Sequence, residues 1–212
     1  MNSPFEGLSK SQINKLFELL GVHIYKYDKN QEIIPTIKNE NIVGIIIDGY
    51  AQIINIEYNG NEILIEELIT NSIFSTNISG TNNENYQIIA KQDTQVVIID
   101  YDKLINPKNS KYSYFNIFLR NIFNIINVKS KEKNERIRIL EKKQIRDKLL
   151  EYFEIEHKKR RLKYIYLPFS FRVLADYIGA NRSAMFRELK HLKDEKLIEI
   201  NNRKITLLYK QQ

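Results

Sequence analysis

The hydrophobic pattern changes period near Lys111, and no single layer of secondary structure accommodates both halves. Between Val22 and about Ile105 the apolar residues come in short runs: Ile33–Ile37, Val43–Ile47, Ala51–Tyr58, Glu62–Leu68, Tyr86–Ala90 and Gln95–Ile99. They are rich in Ile, Val and Tyr, and Asp48-Gly49, Asn59-Gly60 and Ser79-Gly80 interrupt them where turns belong. Asn59-Gly60 is the strongest hairpin signal, since both residues tolerate the positive φ of a type I′ turn. Many short strands with no helix between them predict a small antiparallel barrel or jelly roll. A short amphipathic helix precedes it, marked by Phe5, Leu8, Ile13, Leu16, Phe17, Leu19 and Leu20.

From Lys111 onward the spacing becomes three-and-four. Tyr114, Ile117, Phe118, Asn121, Ile122, Ile125 and Val128 lead through a polar stretch to Ile137 and Leu140. A helix of ~30 residues exceeds what a globular domain usually needs, so its apolar seam calls for a partner. That partner is either the chain's own barrel or, preferred here, a second copy, with the seam Ile117, Asn121, Ile125 and Val128 and the single Asn setting register. A second helix carries Ile145, Leu149, Leu150 and Phe153 on one face, followed by the basic run Lys158–Arg161.

Charge divides along the same line. The chain carries a net +7, yet its first half is acidic and its second strongly basic, as in a protein whose C-terminal part seeks a polyanion. Zero Cys removes disulfides, thiolate nucleophiles and Cys-ligated zinc or iron–sulfur clusters. A metal enzyme in a cupin-like barrel needs clustered His, and only His23 of the three His lies in the barrel region; no enzyme, metal site or cofactor is expected. No apolar run approaches membrane-spanning length and no signal peptide opens the chain, so a cytoplasmic protein is expected.

Residues 170–192 are the most informative. Ser170 is placed to cap a short helix with an inner face of Val173, Leu174 and Ile178, and Ala175 is small where a second helix must cross. Gly179 supplies the turn. Asn181 then caps a helix whose apolar stripe is Met185, Leu189 and Leu192, and whose opposite face bears Arg182, Ser183, Phe186, Arg187 and Lys190. One side is made to be buried, the other to offer guanidiniums to a DNA major groove. Leu197–Ile200 and Lys204–Leu208, split by Asn201-Asn202-Arg203, read as a hairpin wing.

These residues resemble the Crp–Fnr (catabolite activator) family of transcription regulators. The likeness is carried by Leu174-Ala175-Asp176-Tyr177-Ile178-Gly179-Ala180-Asn181-Arg182, Arg187-Glu188-Leu189-Lys190 and Leu192–Ile198. Leu140–Leu150 matches the segment leading into the DNA-binding domain, and Gly44–Gly49 with Ile73-Phe74 fall on landmarks of the family's barrel. The resemblance implies an α+β chain: a cyclic-nucleotide-binding-like β-barrel (jelly roll) over 1–110, a dimerisation helix over 111–140 and a winged helix-turn-helix over 141–212. It implies a homodimer on an inverted-repeat operator in double-stranded DNA, with RNA polymerase a further partner. Arg182 and Arg187 are the candidates for guanine edges. Ser183 reads a base or a phosphate; Phe186 touches a thymine methyl or packs on the neighbouring turn. Ser170, Lys190 and Arg203 are candidates for phosphates.

The barrel departs from relatives that bind cyclic nucleotides. They hold the phosphate with a Gly-Glu pair after the Phe and an Arg before the next strand; here Ser75–Gly80 follow Phe74, and the Arg position falls near Glu84. No Arg or Lys occurs between Lys38 and Lys91. A carboxylate in that place repels a phosphodiester, so any effector is expected to be something other than a cyclic nucleotide. Iron–sulfur sensing is excluded by the missing Cys, and haem is left with His23 alone. A constitutive DNA binder, whose barrel serves only for dimerisation or polymerase contact, is the alternative.

Overall fold

The computed structural model describes residues 3–33, 41–75 and 86–210. It divides into two compact units between Asn127 and Val128. The expected continuation of the first strand over 34–37, the Ser79-Gly80 turn, the stretch 76–80 and Glu84 lie outside the described residues.

The first unit opens with helix α1, Lys10–Leu20, started by a capping box in which Ser9 and Gln12 exchange side-chain-to-backbone hydrogen bonds. Among the described residues eight strands follow: β1 His23–Tyr27, β2 Glu32–Ile33, β3 Ile42–Asp48, β4 Tyr50–Ile56, β5 Glu62–Ile69, β6 Ile73–Ser75, β7 Tyr86–Ala90 and β8 Thr94–Asp100. They form two antiparallel four-stranded sheets, ordered β1-β8-β3-β6 and β2-β7-β4-β5. Tyr27, Ile46, Phe74, Val96 and Ile98 of the first sheet pack with Ile33, Ala51, Ile53, Leu68, Ile88 and Ala90 of the second in one core, the double-sheet arrangement of a jelly roll. The first sheet is buried on its other face as well. Val43, Ile45, Val97 and Ile99 point outward against Leu16, Leu20, Leu104, Phe115, Phe118 and Ile122. Burial on both faces explains why β3 and β8 read as unbroken apolar runs rather than alternating ones.

Two strands, β1 and β6, were not expected from the sequence. The turn at Asn59-Gly60 differs from expectation too. Only Gly60 takes a positive φ, while Glu57 N–H donates to Asn61 O and Gly60 N–H to Glu57 O. The hairpin therefore closes through a three-residue loop ending in glycine.

After the short helix α2, Tyr101–Leu104, helix α3 runs unbroken from Ser113 to Leu140. Its expected free seam is largely taken up within one chain. Phe118 and Ile122 belong to the sheet-facing core; Ile125 is 4% exposed. The Asn121 amide donates to Pro4 O and Glu6 O instead of setting register with a partner. The large apolar residues that α3 leaves exposed are Phe123, Ile126, Val128, Ile137 and Leu140. Phe123, Ile126, Ile137 and Leu140 share one heptad register, with Ser130 and Lys133 at the intervening positions. The apolar seam left uncovered within one chain is thus a neighbouring face of the same helix.

In the second unit the end of α3 is joined by α4 Ile145–Arg160, β9 Tyr164–Tyr166, α5 Phe171–Tyr177, α6 Arg182–Asp194, β10 Ile198–Asn201 and β11 Lys204–Leu207. The wing is a three-stranded sheet ordered β10-β11-β9, with β9 supplied by the segment after the basic run. Ile139, Leu149, Phe153, Leu174, Ile178, Met185, Leu189, Leu192, Ile198 and Ile205 form one core. A partly buried ionic cluster ties α3 to α4. Lys159 Nζ lies 2.8 Å from Glu135 and 3.0 Å from Glu156, both carboxylates nearly buried. Burial opposes the Lys159 charge, but these two bonds outweigh it and hold its pKa above the ordinary lysine value.

Burial also pushes Tyr152, Tyr177 and Tyr209 above the usual phenol value, Tyr209 to about 12. Below pH ~10 these phenols are neutral whether the chain is folded or not, and the unit keeps its full stability. Above it the unfolded chain ionises while the folded one resists, so stability falls as pH rises from about 10 toward 12. Thermal melts are expected to show a drop of ~5–10 °C across that window, with tyrosinate absorbance rising at the melt. A melting temperature independent of pH there would contradict the burial of these rings.

Candidate nucleic-acid interface

The second unit places five of the seven predicted contact residues on one surface. Local chemistry sets the frame. Ser170 Oγ accepts from Val173 N–H and starts α5; its own hydroxyl proton is left to donate. Gly179 turns the chain at φ +59, and Lys148 Nζ donates to its carbonyl. Asn181 Oδ1 accepts from Ala184 N–H and starts α6. Ala175 is 1% exposed where α5 and α6 pack. Val173, expected on the inner face, is instead 46% exposed; in a two-turn helix Leu174, Ala175 and Ile178 already fill the buried side.

With Met185, Leu189 and Leu192 turned into the core, Arg182, Ser183, Phe186, Arg187 and Lys190 all stand exposed on the opposite face of α6. Arg182, Phe186 and Lys190 form one row at four-residue steps, and Ser183 and Arg187 a parallel one. The one carboxylate inside this segment, Glu188, is drawn away from that face. Arg146 of α4 contacts Glu188 at 3.4 Å and also holds Glu195, its Nη1 donating at 2.8 Å. The outer face therefore presents cations without a competing anion, as binding a phosphate-lined groove requires.

Phe186 is both exposed and packed. Its ring lies 5.7 Å from that of Phe171, the first residue of α5, at an interplanar angle of 50°. No sign of this pairing is legible in the sequence, because no periodicity links positions on two different helices. Of the remaining predicted residues, Ser170 is exposed at the start of α5 and Arg203 at the tip of the wing, where Asn202 takes φ +53. Lys204 was not anticipated; its ammonium sits 4.4 Å above the Tyr164 ring, holding a further cation on the wing. Among the described residues no cluster of His, Asp and Glu could hold a metal ion, and no helix is long and apolar enough to cross a membrane.

Comparison with known proteins agrees with this geometry. Residues 143–212 match the family model of the Crp-like helix-turn-helix domain. No curated protein sequence matches the chain. Among solved structures, CprK in complex with OCPA is similar at TM-score 0.59 and 16% identity, covering 93% of this chain and 91% of that one. A mutant of CooA from Carboxydothermus hydrogenoformans is similar at TM-score 0.52 and 18% identity, covering 95% and 87%. At such identities the structural likeness speaks for the fold, and the domain match for the last third of the chain. Residues 143–212 thus belong to the Crp-like helix-turn-helix domain family, and they follow an N-terminal unit whose fold is similar to that of these solved structures.

Proposed function

We propose that the protein acts as a homodimer in the cytoplasm, reading an inverted-repeat operator with one α6 per half-site, the half-sites about one DNA turn (~34 Å) apart. The observation that carries this reading is the single exposed face of Arg182, Ser183, Phe186, Arg187 and Lys190 on a helix fixed by its Asn181 cap and its buried stripe. Arg182 and Arg187 take base edges, Ser183 a base or phosphate, and Lys190, Ser170 and Arg203 phosphates. RNA polymerase is the second macromolecular partner. The domain roles are a sensor over 1–110, a dimer helix over 111–140 and a DNA reader over 141–212.

Substitution of Arg187 and Lys190 tests the assignment. A planar guanidinium forked onto guanine carries sequence information. Arg187→Ala is expected to cost ~1–3 kcal/mol per half-site and to relax preference at one symmetric operator position. Lys190 stands one turn further along, where a point charge on backbone suffices. Its loss should weaken binding to all duplexes alike and lower the salt slope by about one per site. Binding to the selected operator, a guanine-substituted operator and random DNA, at two salt concentrations, separates the two. Equal weakening on all three by Arg187→Ala would remove its base-reading role.

The barrel responds to an effector other than a cyclic nucleotide. This rests on the absence of Arg and Lys between Lys38 and Lys91. It draws support from CprK, a protein of similar fold described in complex with OCPA. Millimolar cyclic AMP is expected to leave both the melting temperature and the DNA affinity unchanged. A raised melting temperature would overturn this part, because a ligand selective for the folded state stabilises it.

A further inference from the structure

We propose that the Phe171–Phe186 pair reads the C5 methyl group of a thymine, so that each operator half-site carries an obligatory thymine facing the middle of α6. The inference rests on the DNA-binding reading above and adds the base it selects.

Phe186 occupies the centre of the basic face. Arg182 and Lys190 flank it at one turn on either side, Ser183 stands three residues before it and Arg187 is adjacent. Its ring is 42% exposed. A phenyl ring offers phosphates and base edges no hydrogen bond, and the polar and cationic groups around it make this face unsuited to an apolar protein partner. The ring is also held in place. Phe171 stands at 5.7 Å behind it, and Phe171 is itself half-buried and packed against the core of the unit. The pair is therefore an apolar projection fixed in advance of binding, supported from the neighbouring helix. The floor of the major groove offers one apolar group to such a projection, the methyl of thymine. Set against cytosine N4 or guanine O6, the same ring would strand a donor or an acceptor without a partner. Attraction to the methyl and rejection of the alternatives thus act at the same base pair.

The test uses the full-length protein and the operator recovered by sequence selection. Thymines are replaced by deoxyuridine one symmetric pair at a time, which deletes the methyl and leaves base pairing intact. At one pair the wild-type affinity is expected to fall about fourfold per half-site, the value of one buried methyl. Phe186→Ala should weaken the thymine operator by a similar factor and abolish the thymine–uracil difference. Phe186→Leu should retain a difference, and Phe171→Ala should reduce it. Should Phe186→Ala bind too weakly to measure, the uracil scan on wild type and on Phe186→Leu still decides. Insensitivity to uracil at every position, or an undiminished difference in Phe186→Ala, overturns the proposal while leaving DNA binding intact. Failure of the wild type to prefer any duplex over random DNA overturns the DNA-binding reading together with it.

Discussion

Gly44→Ala is expected to destabilise the N-terminal unit by about 3 kcal/mol, the upper range for overpacking a core. Gly44 lies in β3 opposite Phe74 of β6. A Cβ built there would stand 2.1, 2.4 and 2.6 Å from three atoms of the Phe74 ring. Such contacts leave no adjustment short of moving the ring, and the ring is 3% exposed inside the core between the sheets. Close packing transmits the displacement rather than absorbing it. Urea denaturation followed by tyrosine fluorescence should show a lowered midpoint for Gly44→Ala. The double change Gly44→Ala with Phe74→Leu should recover part of the loss, since a smaller side chain vacates the contested space. An unchanged midpoint in the single variant would mean that the ring has somewhere to go.

The second large effect concerns the proposed dimer. Phe123→Asp combined with Ile126→Asp should convert the protein to a monomer and lower operator affinity about a hundredfold or more, because a linked pair of half-sites exceeds a single one by that order. Both side chains are exposed in one chain, Phe123 by 57% and Ile126 by 40%, so the fold should survive the charges. Ile125→Asp, which the sequence alone suggests for this purpose, would place a charge at a buried position and confuse unfolding with dissociation. Light scattering together with operator binding reads both outcomes. A wild type that is monomeric at micromolar concentration would remove the dimer from the model of function.

The contrast between Ile125 and Phe123 indicates what was legible in the sequence. Where an element is defined by local chemistry, its reading carried through to the structure. Ser170, Gly179 and Asn181 each act on backbone within a few residues, and the cap, turn and cap are found where the residues suggest. The face of α6 followed as well, because a 13-residue helix with a single apolar stripe has only one way to be buried. Helix α3 has apolar residues on more than one side. Spacing identifies it as a long helix but does not say which side the sheet β1-β8-β3-β6 takes and which it leaves. Phe171 and Phe186 lie fifteen positions apart on separate helices, and only tertiary packing brings them together. The edge strands β1 and β6 escaped for a related reason. β6 is three residues long, too short to show a period, and β1 leaves all but Tyr27 exposed.

Helix α3 runs unbroken across the boundary between the two compact units. In a chain connected by a loop, a change of length is only a change of reach. Here it is a change of angle: each residue inserted near Asn127 would turn the rest of the helix by about 100° around its axis and advance it about 1.5 Å. Seven residues would nearly restore the original phase, whereas three would leave the helix face about 60° short of a full turn and four about 40° past it, with a local over- or underwinding of the seam.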